Sequence, residues 1–346
     1  MDESPEKRSR RTRYAGRNPR SFADKYKELQ SSSFPEEIAK IVQSGKTPAG
    51  MHRPIMVREI LESLALAPGS VVVDCTLGFG GHAAELLAAV LPGGRLLGVD
   101  ADPIEFPKTE IRLRATGAPH ESIVLQRMNF SGVSQFIAAK APEGVDALLA
   151  DLGVSSMQYD NPLRGFSFKA DGPLDMRMNP ERGISAASLL TTLNQDQLKS
   201  ILIDNSDEPN AEKIAQSILT AHSRIPLKTT FALVQVVRSA VPGLTADQTN
   251  LSIRRVFQAI RIAVNDEYRC LDMFLKQLPY YMKAGGRIAI LTFHSGEDRR
   301  VKSSFQQGFR SGLFRSISKE IIRPSADELR SNSRSSSAKL RSAVRS

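Results

Sequence analysis

VVVDCTLGFGGH, residues 71–82, decides the fold of this chain. Three valines in a row, bounded by Pro68-Gly69 before and glycines after, read as a strand buried on both faces. Gly78, Gly80 and Gly81 then form a tight turn in which the backbone can approach a ligand that a Cβ would exclude. Working outward, residues 55–64 carry the apolar spacing of an amphipathic helix, and residues 83–90 form the helix that follows the turn. After Pro92-Gly93-Gly94 comes a second strand, 95–99, ending at Asp100; a third spans 123–127, and a fourth, 145–150, ends at Asp151. Much later, Gly285-Gly286 precedes an apolar strand at 287–293. Strands alternating with helices of this length specify an α/β fold with a parallel, doubly wound sheet. No internal repeat interrupts it.

Between residues 160 and 246 that rhythm stops. The stretch opens with the loop NPLRGFSFKADGPLDMRMNPERG and continues in short helical patterns at 211–219 and 231–237. This is read as a helical domain, residues 161–246, inserted after the fourth strand for substrate recognition. The sheet domain is then 51–160 and 247–309, resuming with a long helix over 251–282. The two ends are basic. Residues 1–50 hold Lys7, Arg8, Arg10, Arg11, Arg13, Arg17 and Arg20 and read as an arm with a short helix near 36–42. Residues 310–346, closing in SNSRSSSAKLRSAVRS, read as a second basic arm, ordered only in part.

At 346 residues and 41% apolar content the chain can bury a sizeable core. No apolar run approaches the roughly 20 residues that span a bilayer, so no membrane role is expected. Cys75 and Cys270 lie far apart and neither has a CxxC partner, which argues against a zinc site or a disulfide framework and for a reducing compartment. No metal is expected. The cytoplasm is the expected location; an organelle matrix or stroma is the alternative if the N-terminal arm is a targeting remnant. The formal charge of +10 suits a polyanion such as RNA, though an ordinary basic protein carries such charge too.

The chemistry concentrates at the strand ends. Asp100 lies twenty residues beyond Gly80, where a carboxylate can accept the ribose hydroxyls of an adenosine. The turn lacks the GxGxxG spacing that seats a pyrophosphate. Asp74 before it would repel phosphate but suits the ammonium of a methionine moiety, which favours S-adenosylmethionine over a dinucleotide. Phe130 is placed to pack on an adenine, or simply to fill the core. The fourth strand runs into DLGVSSMQ, 151–158, so Asp151 faces the ligand edge. A carboxylate there can accept the N–H bonds of an exocyclic amine and help remove its proton; binding the cofactor or ordering the loop are the other roles open to it. Helical periodicity over 254–265 places Phe257, Ile260 and Val264 on a sheet-facing stripe, with Gln258, Arg261 and Asn265 beside it as pocket lining or local hydrogen-bond partners. TFHSGEDRRVK, 292–302, adds His294, Glu297, Asp298 and Arg299 near the same edge. His294 has no nucleophile elbow to serve in a hydrolase triad.

Taken together, the blocks HRPIMVREIL, DCTLGFGGH, GVDADP, NF, DLGVSSMQ, RGFSF, DGPLDMRM, FQAIRIAVN, TFHSGEDRRVK and SRSSSAKLR, from His52 to Arg341, resemble one family. It is that of the bacterial-type 16S rRNA (cytosine-N4)-methyltransferases, also called RsmH or MraW. The resemblance implies a Rossmann-like class I methyltransferase sheet with an inserted helical domain. It implies transfer of a methyl from S-adenosylmethionine to N4 of a cytidine in the decoding region of the small ribosomal subunit. By the family pattern, cofactor contacts fall on Gly80, Gly81, His82, Asp100, Phe130, Asp151 and Gln158, with Asp151 catalytic. Arg164, Gln258, Arg261, Asn265 and His294 are the candidate substrate contacts, and the small subunit or its 16S-type rRNA is the partner. Whether the protein acts as a homodimer stays open. Departures from the pattern are Gly296 for leucine, Phe79 for arginine, DEPNAEKIA before a helix where GEE-type residues are usual, and Ser333 and Ser336 in the tail. Methylation of DNA or protein, and a non-catalytic RNA-binding assembly role, are the competing readings.

Overall fold

The valines of the opening stretch form β1 (Val71–Asp74). Its side chains alternate between two apolar faces, Val72 entering one core and Val73 the other. The computed structural model describes residues 54–346. The expected N-terminal arm and its short helix lie outside the described residues.

In chain order, α1 (Val57–Leu64) precedes β1, and α2 (Gly81–Val90), β2 (Arg95–Asp100), α3 (Phe106–Arg114), β3 (Ile123–Arg127), α4 (Val133–Lys140) and β4 (Val145–Asp151) follow. The short α5 (Ser156–Asp160) leads into the helices α6 (Ala186–Thr192), α7 (Gln195–Ser206), α8 (Ala211–Arg224) and α9 (Thr230–Ala240). Next come α10 (Ala246–Asn265), α11 (Glu267–Gln277), β5 (Met282–Thr292), α12 (Ser295–Arg310), β6 (Phe314–Ile317), α13 (Ala326–Ser331) and β7 (Lys339–Arg345). The sheet runs in the order β3-β2-β1-β4-β5-β7-β6. The first five strands are parallel, and β7 pairs antiparallel with both β5 and β6. On one face Val72, Leu96, Ala147, Leu149 and Ala289 pack with α1 and α2; on the other Val73, Leu97, Leu148, Ile288 and Ile290 pack with α4, α11 and α12. The result is an α/β/α sandwich.

Three expectations are overturned. The last residues, 310–346, are not a loosely ordered arm, because β7 lies between β5 and β6 and completes the sheet. Its backbone is satisfied from both sides, and its inward Arg341 is neutralised by Asp298, with Nε to Oδ1 at 2.7 Å. A serine-rich, arginine-rich composition is therefore compatible with a strand paired on both sides. The helix expected over 251–282 is two helices, broken at Asp266, whose φ of 49° is left-handed. Phe257 and Ile260 of α10 do not face the sheet either. They join Leu198, Leu202, Ile214, Leu233 and Val237 in a separate helical core, so α10 belongs by packing to the inserted helices.

Candidate active site

Because β1, β2, β4 and β5 are parallel, their terminal residues Asp74, Asp100, Asp151 and Thr292 gather along one edge of the sheet. The strand order reverses direction between β1 and β4, which opens a crevice at that edge. The glycine turn closes one side. Asp100 Oδ2 accepts the Gly78 N–H at 2.7 Å and Oδ1 accepts the Asp102 N–H at 2.8 Å. Burial raises the Asp100 pKa against these bonds. Gly80 has φ of 88°, and a Cβ there would lie 2.8 Å from Thr109 Cγ2 of α3, so both backbone shape and space demand glycine. At Phe79 a guanidinium packs on the ring from a neighbouring helix. Arg112 of α3 stacks 3.8 Å over the Phe79 ring and donates Nε–H to its carbonyl at 3.0 Å.

Two carboxylates set the electrostatics. Asp74 is fully buried; Thr76 N–H bonds its Oδ1 at 3.0 Å, while Oδ2 has no hydrogen-bond partner among the described residues. Burial lifts its pKa to about 6. Asp151 is lifted to about 7, first by burial and then by the charge of Glu297, and its Oδ1 is buried without a hydrogen-bond partner among the described residues. Its backbone N–H donates to Thr76 Oγ1 at 2.7 Å, which locks β4 to the β1 turn. His82 Nδ1 lies 3.5 Å from Asp151 Oδ2, and its Nε2 donates to the Ile55 carbonyl at 2.8 Å. Burial lowers the His82 pKa, which favours the neutral ring. Two buried acceptor oxygens with no donor among the described residues, beside a close-approach turn, fit a ligand that brings its own positive charge. An adenosyl-sulfonium with a methionine ammonium meets that requirement.

Residues 49–346 match the profile of the MraW methylase family. The ribosomal RNA small subunit methyltransferase H 2 of Alkaliphilus metalliredigens is 49% identical, covering 100% of both chains. The chain belongs to the MraW methylase family. Methyltransferase H 1 of Lachnoclostridium phytofermentans is 45% identical over 97% of this chain and 93% of its own, and methyltransferase H 2 of Acholeplasma laidlawii is 44% identical over 98% of each. This methylase is therefore an enzyme, and S-adenosylmethionine is its methyl donor.

The remaining candidate residues of this MraW methylase divide sharply. Gln158 is buried in the α5 capping box, where its Oε1 accepts the Ser155 N–H at 2.9 Å and its Nε2 donates to Asp102 Oδ2 at 2.7 Å. Arg164 donates to the same Asp102 oxygen at 2.7 Å and to the carbonyls of Arg177 and Met178. Both side chains hold the loop after β4 to the end of β2. Phe130 packs edge-on against Phe274, 5.4 Å between ring centres. Gln258 donates to the Asn205 carbonyl at 3.0 Å, inside the helical module. Asn265 bridges to the 160–185 loop, accepting the Met178 N–H and donating to Met176 O, each at 2.7 Å.

Arg261 forms a two-pronged pair with Glu267, at 2.8 and 3.0 Å. His294 caps α12, its Nδ1 accepting the Glu297 N–H at 3.4 Å while Nε2 sits 3.0 Å from Glu297 Oε1. Burial alone would raise the Glu297 pKa; the His294 bond and the charges of His294 and Arg261 outweigh it and lower it. Glu297 thus stays ionised beside Asp151, which makes Arg261, His294, Glu297 and Asp151 one electrostatic chain. Asp102 is the partner that sequence reasoning missed. Its signal was present in the DADP block, a second aspartate two residues past the strand end. At Gly296 the Tyr268 hydroxyl occupies the space a Cβ would need. That hydroxyl donates to Asn205 O at 3.1 Å, under an Arg300 guanidinium 3.6 Å from the ring centre.

Proposed function

We propose that this methylase acts on N4 of a cytidine in the decoding region of small-subunit ribosomal RNA, with the assembled or nearly assembled subunit as its partner in the cytoplasm. The relatives' names support ribosomal RNA as the acceptor, and the charge of +10 suits it. When bound, the cofactor supplies an electrophilic methyl on a positively charged sulfur. The chain's own residues do the rest. Gly80 and Gly81 let the backbone close on the cofactor, Asp100 accepts its ribose hydroxyls, and Phe130 walls the adenine side. Asp74, whose Oδ2 has no partner among the described residues, would hold the ammonium.

Asp151 carries the chemistry. A cytosine amine is a weak nucleophile because its lone pair is delocalised into the ring. An acceptor oxygen on its N–H bonds favours the attacking geometry, and the amine sheds one proton as the new N–C bond forms. A carboxyl poised near 7 is matched to take that proton at neutral pH. Burial, and then the charge of ionised Glu297, hold it there. His82 and Gln158 act from the cofactor side, the one through Asp151 and the other by fixing the 151–158 loop. The inserted helices, tied down by Asn265 and Arg164, present the RNA. The single observation behind this reading is the buried Asp151 Oδ1, with no donor among the described residues, at the end of β4 beside the glycine turn.

Unmodified small subunits incubated with methyl-labelled cofactor and mapped by mass spectrometry should yield N4-methylcytidine in the decoding region. Label on a ring carbon, a ribose or a ribosomal protein would refute the acceptor assignment.

A further inference from the structure

A groove of about 450 Å³ lies between α12 and β6, on residues that the catalytic crevice does not use. On the helix side Lys302, Gln306 and Phe309 line it, above a floor that includes Phe305; on the strand side Arg315, Ile317 and Lys319 do. Helix α12 starts at the crevice edge with Ser295, so at 1.5 Å per residue Lys302 is about 10 Å and Phe309 about 21 Å farther down its axis. The groove therefore begins near the crevice and leads away from it.

Three properties of the lining restrict what can occupy it. Lys302, Arg315 and Lys319 are exposed, and none forms an ion pair among the described residues. The fourth cation, Arg341, is committed to Asp298. No carboxylate lines the groove among the described residues, so every charged side chain in its lining is a cation. Phe309 is 50% exposed, an aromatic ring that the fold leaves uncovered. Finally, β6 is the outermost strand of the sheet, and its outer edge pairs with no other strand among the described residues. Cations along such an edge discourage strand addition by another protein and attract a polyanion. A positive track with an exposed ring beside it is the arrangement that binds single-stranded nucleic acid, by phosphate contacts and by stacking of a base.

We propose that this groove binds a single-stranded stretch of the RNA substrate away from the methylated cytidine, with its phosphates on Lys302, Arg315 and Lys319 and a base on Phe309. The proposal rests on the reading of RNA as the acceptor. The groove makes the sheet's far edge a second RNA-binding site and gives the RNA a defined direction across the enzyme.

The test uses the full chain carrying Lys302→Ala, Arg315→Ala and Lys319→Ala together, and separately Phe309→Ala. Calorimetry with S-adenosylmethionine should give wild-type affinity for both, which reports an intact fold and crevice. With unmodified small subunits the KM should rise about tenfold or more in the triple variant, while kcat at saturation is unchanged. With a small-subunit rRNA fragment, the slope of log affinity against log salt should fall by about two, the value for three lost phosphate contacts on a single strand. Phe309→Ala should weaken binding about fivefold or more without changing that slope. Unchanged KM and slope in the triple variant would overturn the proposal. So would crosslinking from a photoreactive residue at position 309 that labels a ribosomal protein rather than rRNA. A wild-type protein that binds RNA through the groove but methylates another acceptor would refute the acceptor and leave the groove standing.

Discussion

Replacing Asp151 by asparagine tests the buried-carboxylate argument through stability as well as rate. An ordinary aspartate has a pKa of 3.8, and this one is held at about 7, chiefly by burial. At about 1.36 kcal/mol per pH unit, keeping it ionised above neutrality costs the folded state about 4 kcal/mol. The sign follows from the direction of the displacement. Below 3.8 the group is protonated folded or unfolded and costs nothing. As pH rises from 3.8 through 7 the unfolded chain releases the proton first, so stability is progressively lost. Asparagine is neutral throughout and can keep a polar contact with His82 Nδ1, 3.5 Å from the present Oδ2. The variant should therefore be more stable than wild type by about 4 kcal/mol at pH 8 and by about 2 kcal/mol at pH 5.5.

In thermal unfolding that is a rise of several degrees at pH 8, shrinking as the buffer is acidified. Turnover should meanwhile drop by about a hundredfold or more, because asparagine cannot take the amine proton. An Asp151→Asn protein that is less stable than wild type at pH 8, or whose advantage does not depend on pH, would refute the reasoning. Full activity in that variant would remove the proposed role for Asp151.

Two further outcomes follow from the surrounding packing. Gly80→Ala should destabilise the fold by about 1–3 kcal/mol and abolish cofactor binding, because φ of 88° and the 2.8 Å approach to Thr109 both oppose a methyl. Adding Thr109→Ser removes the clashing Cγ2, keeps the hydroxyl bond to the Gly78 carbonyl, and should restore only the steric part in urea unfolding. Arg164→Met should cost about 3–5 kcal/mol, because Asp102, 1% exposed, then keeps a buried charge without its guanidinium. The double change with Asp102→Asn should recover much of that, and an equal loss in both would show that the pair does not act as a unit.

The elements legible in the residues were those whose signal is local. Val71 to Asp74 reads as a buried strand because its apolar run and flanking breakers leave no other arrangement. Gly80 announces a positive φ, and the acids ending β1, β2 and β4 follow from the parallel-sheet rule that ligands collect at carboxyl ends. The inserted helices were visible as a change of period. Position on a helix face was less informative than it looked. Gln258, Arg261 and Asn265 fall beside an apolar stripe, but only packing revealed that the stripe faces the helical core and that each polar group is already bonded.

From sequence alone came the sheet, the turn, the insertion and the family likeness, since each rests on spacing within one segment. Tertiary structure alone decided the rest, because it depends on partners distant along the chain. Arg341 can enter a sheet only where Asp298 meets it, and Asp151 acquires its raised pKa only when the fold buries it, with Glu297, 146 residues later, adding its charge. Burial and charge are properties of the assembled neighbourhood. No residue carries them in its own letter.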